Sequence, residues 1–318
     1  MVSMGYFLAT ETFGPHELVR QAKKAEQAGF RRLWISDHFH PWIREQGHSP
    51  FVWSVIGALS EATDLPITTA VTCPLIRTHP AVIAQAAATA GVQCRGGFTL
   101  GVGTGEAINE HITGDRWPPP PVRIDMLTEA IEIIRALHEG KEVTHRGEHF
   151  TVENARVFTR PDEPVPINVA AFGPRAARIA GRFGDGFCTV VPNADLVREY
   201  REAGGTGPAQ GGTKVCWADT EEEGVRTAHR LWPTELLPGT LPSILPRPRD
   251  FEMAAGVVSE DMVREKFTCG PDPARHLEQV RQYVDAGFDE IYVQQMGEEQ
   301  DKFFDAWAEH VLPHVPVD

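Results

Sequence analysis

The sequence predicts a (β/α)8 TIM barrel, in which eight parallel strands form a closed sheet inside a ring of helices. Short apolar runs typical of buried parallel strands alternate with segments of helical periodicity along the 318 residues. Eight such runs recur at spacings of roughly 25–45 residues, as expected for a barrel of βα units. No linker divides the chain, so we expect one barrel domain over residues 1–318 rather than the alternative, a doubly wound open sheet.

The predicted elements follow one another in regular order. The strands are predicted at 2–9, 32–36, 66–72, 97–103, 165–171, 186–191, 214–218 and 289–294. The helices are predicted at 16–29, 51–62, 80–92, 122–138, 174–183, 194–203, 220–231, 259–266, 273–287 and 298–311. The first helix is amphipathic, with Leu18, Ala22 and Ala25 on one side. Pro80 suits the first turn of its helix, where a missing N–H costs nothing.

Four segments lie outside this repeat. The run of prolines within 115–121 predicts an extended loop. Residues 142–150 alternate in strand fashion around Gly147 and predict a small hairpin. The glycine-rich run 204–212 predicts a surface connection. A proline-rich insertion after strand seven, at about 232–258, is predicted to cover the active-site mouth.

Composition excludes several classes of protein. The formal net charge of −14 opposes binding to a nucleic-acid backbone. No segment approaches the ~20 apolar residues that cross a bilayer, so we expect a cytoplasmic protein without a membrane partner. The five cysteines form no CxxC pair, which argues against structural zinc and disulfides.

Polar residues follow the first four predicted strands. Since the carboxyl ends of barrel strands open onto one face, we expect these side chains to surround one mouth. They are Glu11, Asp37, His38, Cys73 and Glu106.

The segment Asp37-His-Phe-His40 allows three interpretations. A metal site would need further ligands, which the ends of strands five, six and eight do not supply, so we expect no metal. His38 could be structural, with its ring bonded to a backbone carbonyl. Alternatively His38 is an acid–base catalyst that Asp37 orients.

Two backbone segments could bind an anion. Gly101-Val-Gly-Thr-Gly-Glu106 does not have the spacing of a dinucleotide fingerprint, but its glycines leave N–H groups open to an anion or a flat ring. Glu106 is then either a loop carboxylate or a proton-transfer group. The helix predicted to begin at Pro174 could hold a phosphate at its N-terminus. Arg175 could add charge there or lie in solvent.

Taken together, the motifs resemble the luciferase-like superfamily of flavin and deazaflavin enzymes, and most closely the coenzyme F420-dependent glucose-6-phosphate dehydrogenases and their relatives. The shared motifs are Glu11, Ser36-Asp-His-Phe-x-Pro-Trp42, Pro80-Ala-Val-Ile-Ala-Gln-Ala86, Gly101-Val-Gly-Thr-Gly-Glu-Ala-x-Asn-Glu110, Ala170-Ala-x-Gly-Pro174, Ala180-Gly-Arg-x-Gly-Asp-Gly-Phe187, Pro271-Asp-Pro273 and Gln282-Tyr-Val284.

The resemblance implies an oxidoreductase that is a homodimeric barrel with F420 in its mouth. A non-proline cis peptide at Ala70–Val71 is expected to press against the ring. The implied cofactor contacts are Asp37, Ala70, Val71, Cys73, Thr104, Gly105, Asn109, Phe172, Gly173, Arg175 and Ala176. His38 and Glu106 fall on proton-transferring positions, with Trp42 and Glu11 on supporting ones.

The substrate is predicted from departures from the family pattern. The family's glucose-6-phosphate enzymes bind phosphate with two lysines and an arginine, and only Lys266 keeps a cation at those positions. We therefore expect hydride transfer between C5 of the deazaflavin and a small alcohol, carbonyl or activated alkene rather than glucose-6-phosphate. The candidate substrate residues are His40, Trp217, Trp232 and Lys266.

Three alternatives remain open. Cys73 and Phe172 depart from the F420 pattern, so an FMN enzyme on the same scaffold, such as a luciferase-like monooxygenase, is the first. A non-catalytic flavin-binding protein is the second, although mere binding needs no proton donor such as His38. A metal hydrolase is the third.

Overall fold

The computed structural model describes residues 2–316, so the bounds 1 and 318 of the expected domain lie outside the described residues. Its strands form a closed barrel and a separate hairpin. They are β1 (Ser3–Leu8), β2 (Arg32–Ile35), β3 (Ile67–Thr69), β4 (Phe98–Val102), β5 (Val143–Arg146), β6 (Thr151–Ala155), β7 (Ile167–Ala170), β8 (Gly186–Thr189), β9 (Ala209–Cys216), β10 (Thr268–Cys269) and β11 (Glu290–Gln295).

Eight parallel strands close the barrel. They are hydrogen-bonded in the order β9-β11-β1-β2-β3-β4-β7-β8, and β8 pairs again with β9. The two-residue strand β10 extends the sheet only through β9, and β5 pairs antiparallel with β6 outside the barrel. The predicted (β/α)8 fold is thus confirmed, and the open-sheet alternative is wrong.

The helices surround the barrel and mostly agree with the predicted ones to within a few residues. They are α1 (Pro15–Ala28), α2 (Val52–Ser60), α3 (Pro80–Gln93), α4 (Ala107–Glu110), α5 (Pro120–His138), α6 (Pro174–Phe183), α7 (Ala194–Glu202), α8 (Glu221–Leu231), α9 (Leu241–Ile244), α10 (Pro248–Ala255), α11 (Glu260–Lys266), α12 (Pro273–Asp285) and α13 (Gln300–His310). None of the helices within residues 2–316 is long and apolar enough to cross a membrane.

The glycine-rich run 204–212 is a connection only over 204–208, because β9 already begins at Ala209. A side chain at Gly211 would collide with the Tyr283 ring, and one at Gly212 with Trp34. The glycines therefore let large aromatic side chains pack flat against the strand.

Other segments also differ from the prediction. The last two prolines of 115–121 form the first turn of α5, where they cost no hydrogen bond, instead of continuing the loop. The second strand of the hairpin lies at 151–155, beyond the predicted 142–150. The short helix α4, which follows Glu106, was not predicted.

Aromatic rings and a buried polar network fill the barrel interior. Trp34 and Tyr292 stack with ring centroids 4.4 Å apart. Trp34 Nε1 donates to Gln210 Oε1 at 3.2 Å, and both Gln210 Nε2 and the Tyr292 hydroxyl donate to Glu290 Oε2 at 2.6 Å. Because this interior is packed, a ligand has access only at the carboxyl ends of the strands.

Candidate active site

His38 lies at the carboxyl end of the barrel between two acidic side chains. Its Nε2 is 3.5 Å from Glu11 Oε1, and its Nδ1 is 3.2 Å from Asn109 Nδ2. Asn109 Nδ2 also lies 3.4 Å from Glu106 Oε2. The structure therefore brings together Glu11, His38 and Glu106, which follow β1, β2 and β4.

The amide of Asn109 fixes the orientation of the His38 ring. Its Oδ1 accepts hydrogen bonds from the backbone N–H groups of Phe39 at 2.9 Å and His40 at 3.3 Å. The Nδ2 group must then donate, toward His38 Nδ1 and Glu106 Oε2. His38 Nδ1 lies equally close, at 3.2 Å, to the His40 carbonyl, which can only accept. With its proton on Nδ1 and bonded to that carbonyl, neutral His38 keeps Nε2, beside Glu11, free to take up a second proton. Both protonation states of His38 thus have partners.

Glu11 and Trp42 complete the surroundings of His38. Glu11 is 4% exposed and accepts a hydrogen bond from Ser36 Oγ at 2.6 Å. The Trp42 ring lies 4.8 Å from the His38 ring at 61° and contacts Phe251 of α10 on its other side, at 5.2 Å. Trp42 therefore joins His38 to the insertion.

Asp37 does not orient His38, so that part of the sequence hypothesis is wrong. Its carboxylate accepts hydrogen bonds from Thr72 Oγ1 and Arg77 Nη2, both at 2.8 Å. Glu11 and Asn109 occupy the positions beside the imidazole instead.

Sequence reasoning missed a buried ion network formed by Asp37, Arg77 and Glu110. The Arg77 backbone N–H donates to Glu110 Oε2 at 2.8 Å, and Arg77 Nε lies 3.6 Å from Glu110 Oε1. Burial raises the pKa of Glu110 to about 7, although the Arg77 N–H and guanidinium oppose that shift. Glu110 stood in the quoted glycine-rich motif, but no pattern in the sequence marked Arg77.

The loop that carries Glu106 is held from two sides. Gly105 has a φ of +68°, and a side chain there would collide with Cys73 Sγ. Arg123 Nη1 donates to the Gly105 carbonyl at 3.0 Å. Burial, with nearby Glu110 and Glu106, raises the pKa of the Cys73 thiol well above its ordinary value, so Cys73 acts here as an apolar packing group.

The expected cis peptide is present between Ala70 and Val71. Both side chains pack against the aromatic cluster of Phe7, Trp34 and Tyr292 inside the barrel. Val71 also lies against Gly103, where a side chain would displace it.

A cavity of about 310 Å³ brings together several of the predicted cofactor contacts. It is lined by Thr104, Ala170, Phe172, Gly173, Arg175 and Ala176, among others. Gly173 precedes α6 in extended conformation, and nothing lies within 4 Å of where its side chain would be. The open N-terminus of α6, with Arg175 beside it, suits an anionic group. Phe172, 69% exposed, forms part of the rim.

A larger cavity of about 410 Å³ lies beside β9. Phe7, Val190, Lys214 and Lys266 line it. Lys214 Nζ pairs with Glu235 Oε1 at 2.9 Å and lies 5.1 Å from the centre of the buried Trp232 ring. Lys266 has no ion pair within the part of the chain that the structure describes.

Of the four predicted substrate residues, Lys266 lines a cavity, whereas Trp232, Trp217 and His40 line neither. The Trp217 ring packs on His276 of α12, with centroids 4.9 Å apart, and is 8% exposed. His40 Nδ1 lies 2.8 Å from the Ile108 carbonyl, and its ring stacks on His111. Among residues 2–316, no group of three His, Cys, Asp or Glu side chains is arranged to hold a metal ion.

The Glu110→Gln variant tests the buried carboxyl through its pH dependence. Because the pKa of Glu110 in the folded protein is raised from 4.5 to about 7, protonation stabilises the wild type fully at low pH, and this stability is lost as pH rises toward 7. We expect the Tm of the wild type, minus that of the variant, to fall between about pH 4.5 and 7 and then level off. Thermal unfolding across this range measures it, and a constant difference would contradict the shift.

Known proteins resemble the chain over nearly its whole length. The model of the luciferase-like monooxygenase family matches residues 3–290. An F420-dependent glucose-6-phosphate dehydrogenase of Intrasporangium calvum is 35% identical over 98% of each chain, and that of Rhodococcus erythropolis is 36% identical over 99% of this chain and 98% of its own. An F420-dependent secondary alcohol dehydrogenase, solved with an F420-acetone adduct, superposes with a TM-score of 0.91 at 30% identity over 98% of each chain. The predicted resemblance is thus confirmed, and the chain belongs to the luciferase-like monooxygenase family.

Proposed function

We propose that this protein is an F420-dependent oxidoreductase acting on a small alcohol, carbonyl or activated alkene. The observation that carries the proposal is the position of His38, held between Glu11 and Asn109 and next to Glu106, at the mouth of a filled barrel. Similarity to the named F420-dependent enzymes supports the choice of cofactor.

The residues present fit a deazaflavin. Gly103 and Gly105 let Val71 and Cys73 pack closely on the backbone that follows β4, beside the cis Ala70–Val71 bond that the resemblance places against a flat ring. The N-terminus of α6 and Arg175 suit the anionic tail of the cofactor. When bound, F420 supplies the C5 position that accepts or donates a hydride.

The chain's own residues then move protons. We assign His38 as the base that takes a proton from a substrate hydroxyl, because its ring has partners in both protonation states. Glu11 lies beside His38 Nε2 and stabilises the imidazolium that forms. Glu106 supplies a proton to the ring nitrogen of the cofactor, and Trp42 forms the wall on the substrate side.

Charge in the larger cavity favours a weakly charged substrate. Lys214 is paired with Glu235, Arg264 with Asp261 at 2.8 Å, and Arg275 with Glu221 at 2.9 Å. Of the cations that line this cavity among residues 2–316, Lys266 is the one without an ion pair. A phosphate dianion would lose several charge-assisted hydrogen bonds here, so glucose-6-phosphate is a poor candidate substrate.

We also propose that residues 1–318 form one domain, that about 232–258 covers the mouth, and that the protein is a cytoplasmic homodimer. The contact between Trp42 and Phe251 supports the position of the insertion.

Sedimentation equilibrium tests the proposed dimer. We expect twice the mass of one chain, and the mass of a single chain would contradict the dimer.

Titration of the purified protein with F420 and with FMN, followed by fluorescence, tests the choice of cofactor. We expect F420 to bind more tightly, because the chain is similar over nearly its whole length to F420-dependent enzymes. Tighter binding of FMN would contradict the F420 assignment and favour a flavin enzyme on the same scaffold.

The His38→Ala variant tests the catalytic assignment. Loss of the base should lower turnover by ~10²–10⁴, while the Kd for F420 should change little, because the predicted contacts of the cofactor lie mainly elsewhere. Single-turnover kinetics and fluorescence titration measure the two quantities. As a control, His145→Ala removes a ring that contacts Glu129, at 3.0 Å, in the hairpin outside the barrel, and it should leave turnover unchanged. Unchanged turnover in His38→Ala would reject the role.

A further inference from the structure

The side chain of Gln294 is a buried amide whose hydrogen-bonding groups are unsatisfied within residues 2–316. It is 1% exposed, and neither its Nε2 nor its Oε1 has a hydrogen-bond partner among the described residues. Its neighbour Gln295 is buried to the same degree but fully bonded, because Oε1 accepts from the Trp217 N–H at 2.8 Å and Nε2 donates to the Trp217 carbonyl at 3.0 Å. Burying an amide without hydrogen-bond partners destabilises a fold. The presence of Gln294 at this position therefore needs an explanation other than folding, whereas that of Gln295 does not.

Gln294 faces the inside of the barrel at its carboxyl end. Side chains two residues apart on a strand point to the same face, and Tyr292 lies in the barrel interior against Trp34. Gln294 therefore lies nearer to the mouth of the barrel than the stacked rings of Trp34 and Tyr292. Its register partner on β9 is Lys214, which lines the larger cavity.

A second buried donor lies beside the same lysine. The indole Nε1 of Trp232 has no hydrogen-bond partner among the described residues, and Lys214 Nζ lies 5.1 Å from the centre of that ring. Trp232 packs in a cluster with Trp42, which in turn contacts His38. The Trp232 indole is thus linked by packing to the proposed base, and Gln294 is linked to the indole through the register position of Lys214.

We propose that Gln294, with the Trp232 indole and Lys214, forms a second polar subsite that binds an oxygen-bearing substituent of the substrate. The inference rests on the proposed function and narrows its substrate class. Gln294 both donates and accepts, as a hydroxyl or carbonyl partner requires. Because Glu235 neutralises Lys214, the substituent is neutral. The substrate is therefore an alcohol or carbonyl compound with a second, neutral oxygen function, such as a diol or hydroxyketone.

Matched substrates test the subsite in the F420-loaded enzyme. We would compare kcat/KM for butan-2-ol with butane-1,3-diol and for hexan-2-ol with hexane-1,5-diol, following the loss of oxidised F420. A site built to bond a hydroxyl discriminates strongly against a substrate that lacks it. For at least one of the two pairs, we therefore expect kcat/KM of the diol to exceed kcat/KM of the matched alcohol by about 10-fold or more. In Gln294→Leu this ratio should fall to near one. Equal rates in the wild type, or an unchanged ratio in the variant, would overturn the proposal.

Thermal unfolding without cofactor gives a readout independent of activity. Gln295→Leu, the matched control, removes both hydrogen bonds to Trp217 and should lower the Tm by several degrees, at roughly 2–4 °C per kcal/mol of lost stability. Gln294→Leu removes no protein hydrogen bond, so its Tm should fall clearly less, or rise. Equal losses would show that Gln294 is structural and overturn the subsite. If no alcohol reduces F420, the proposed function fails and the substrate class with it, whereas the Tm comparison still decides whether Gln294 is held for a ligand.

Discussion

The side-chain amide of Asn109 is the contact on which the geometry of the site depends. It joins two loops that are distant in sequence, because Oδ1 binds the backbone after β2 and Nδ2 lies between His38 and Glu106. An amide has a donating and an accepting end, and the two backbone N–H groups at Oδ1 leave only one orientation. The positions of His38 and Glu106 relative to each other therefore depend on one residue of α4.

Charge around this amide is arranged in two layers. Glu11 and Glu106 flank His38, whereas Asp37 and Glu110 lie behind them and share the Arg77 guanidinium. Buried ion pairs contribute little net stability because each charge must leave water. The deeper layer is better understood as a rigid support that connects the end of β2, the segment after β3 and α4. Arg123 holds the loop of Glu106 from the other side.

The barrel and the residues at its mouth were predictable because strand ends are local features of a sequence. An apolar run that stops at Asp37-His38, or a glycine-rich run that stops at Glu106, is visible without knowing its neighbours. The hydrogen-bond and packing partners of these residues are distant in the sequence and are not visible in this way. Arg77 reaches Asp37 across 40 residues, and no motif marks it. The start of β9 was misjudged for the same reason, since Gly211 and Gly212 are explained by rings of Tyr283 and Trp34 that come from other parts of the chain.

The proposed substrate specificity rests on a lysine whose charge is neutralised by an ion pair, as well as on the cations that are missing. Lys214 comes from β9 and lies close to the rings of Phe7 and Trp232, an environment that would strengthen its attraction for an anion. Glu235, from the insertion, removes that attraction by pairing with it at 2.9 Å. The same insertion supplies Phe251, which backs Trp42. One segment thus neutralises a cation and builds an aromatic wall, and both features support the proposed preference for neutral oxygen compounds over phosphates.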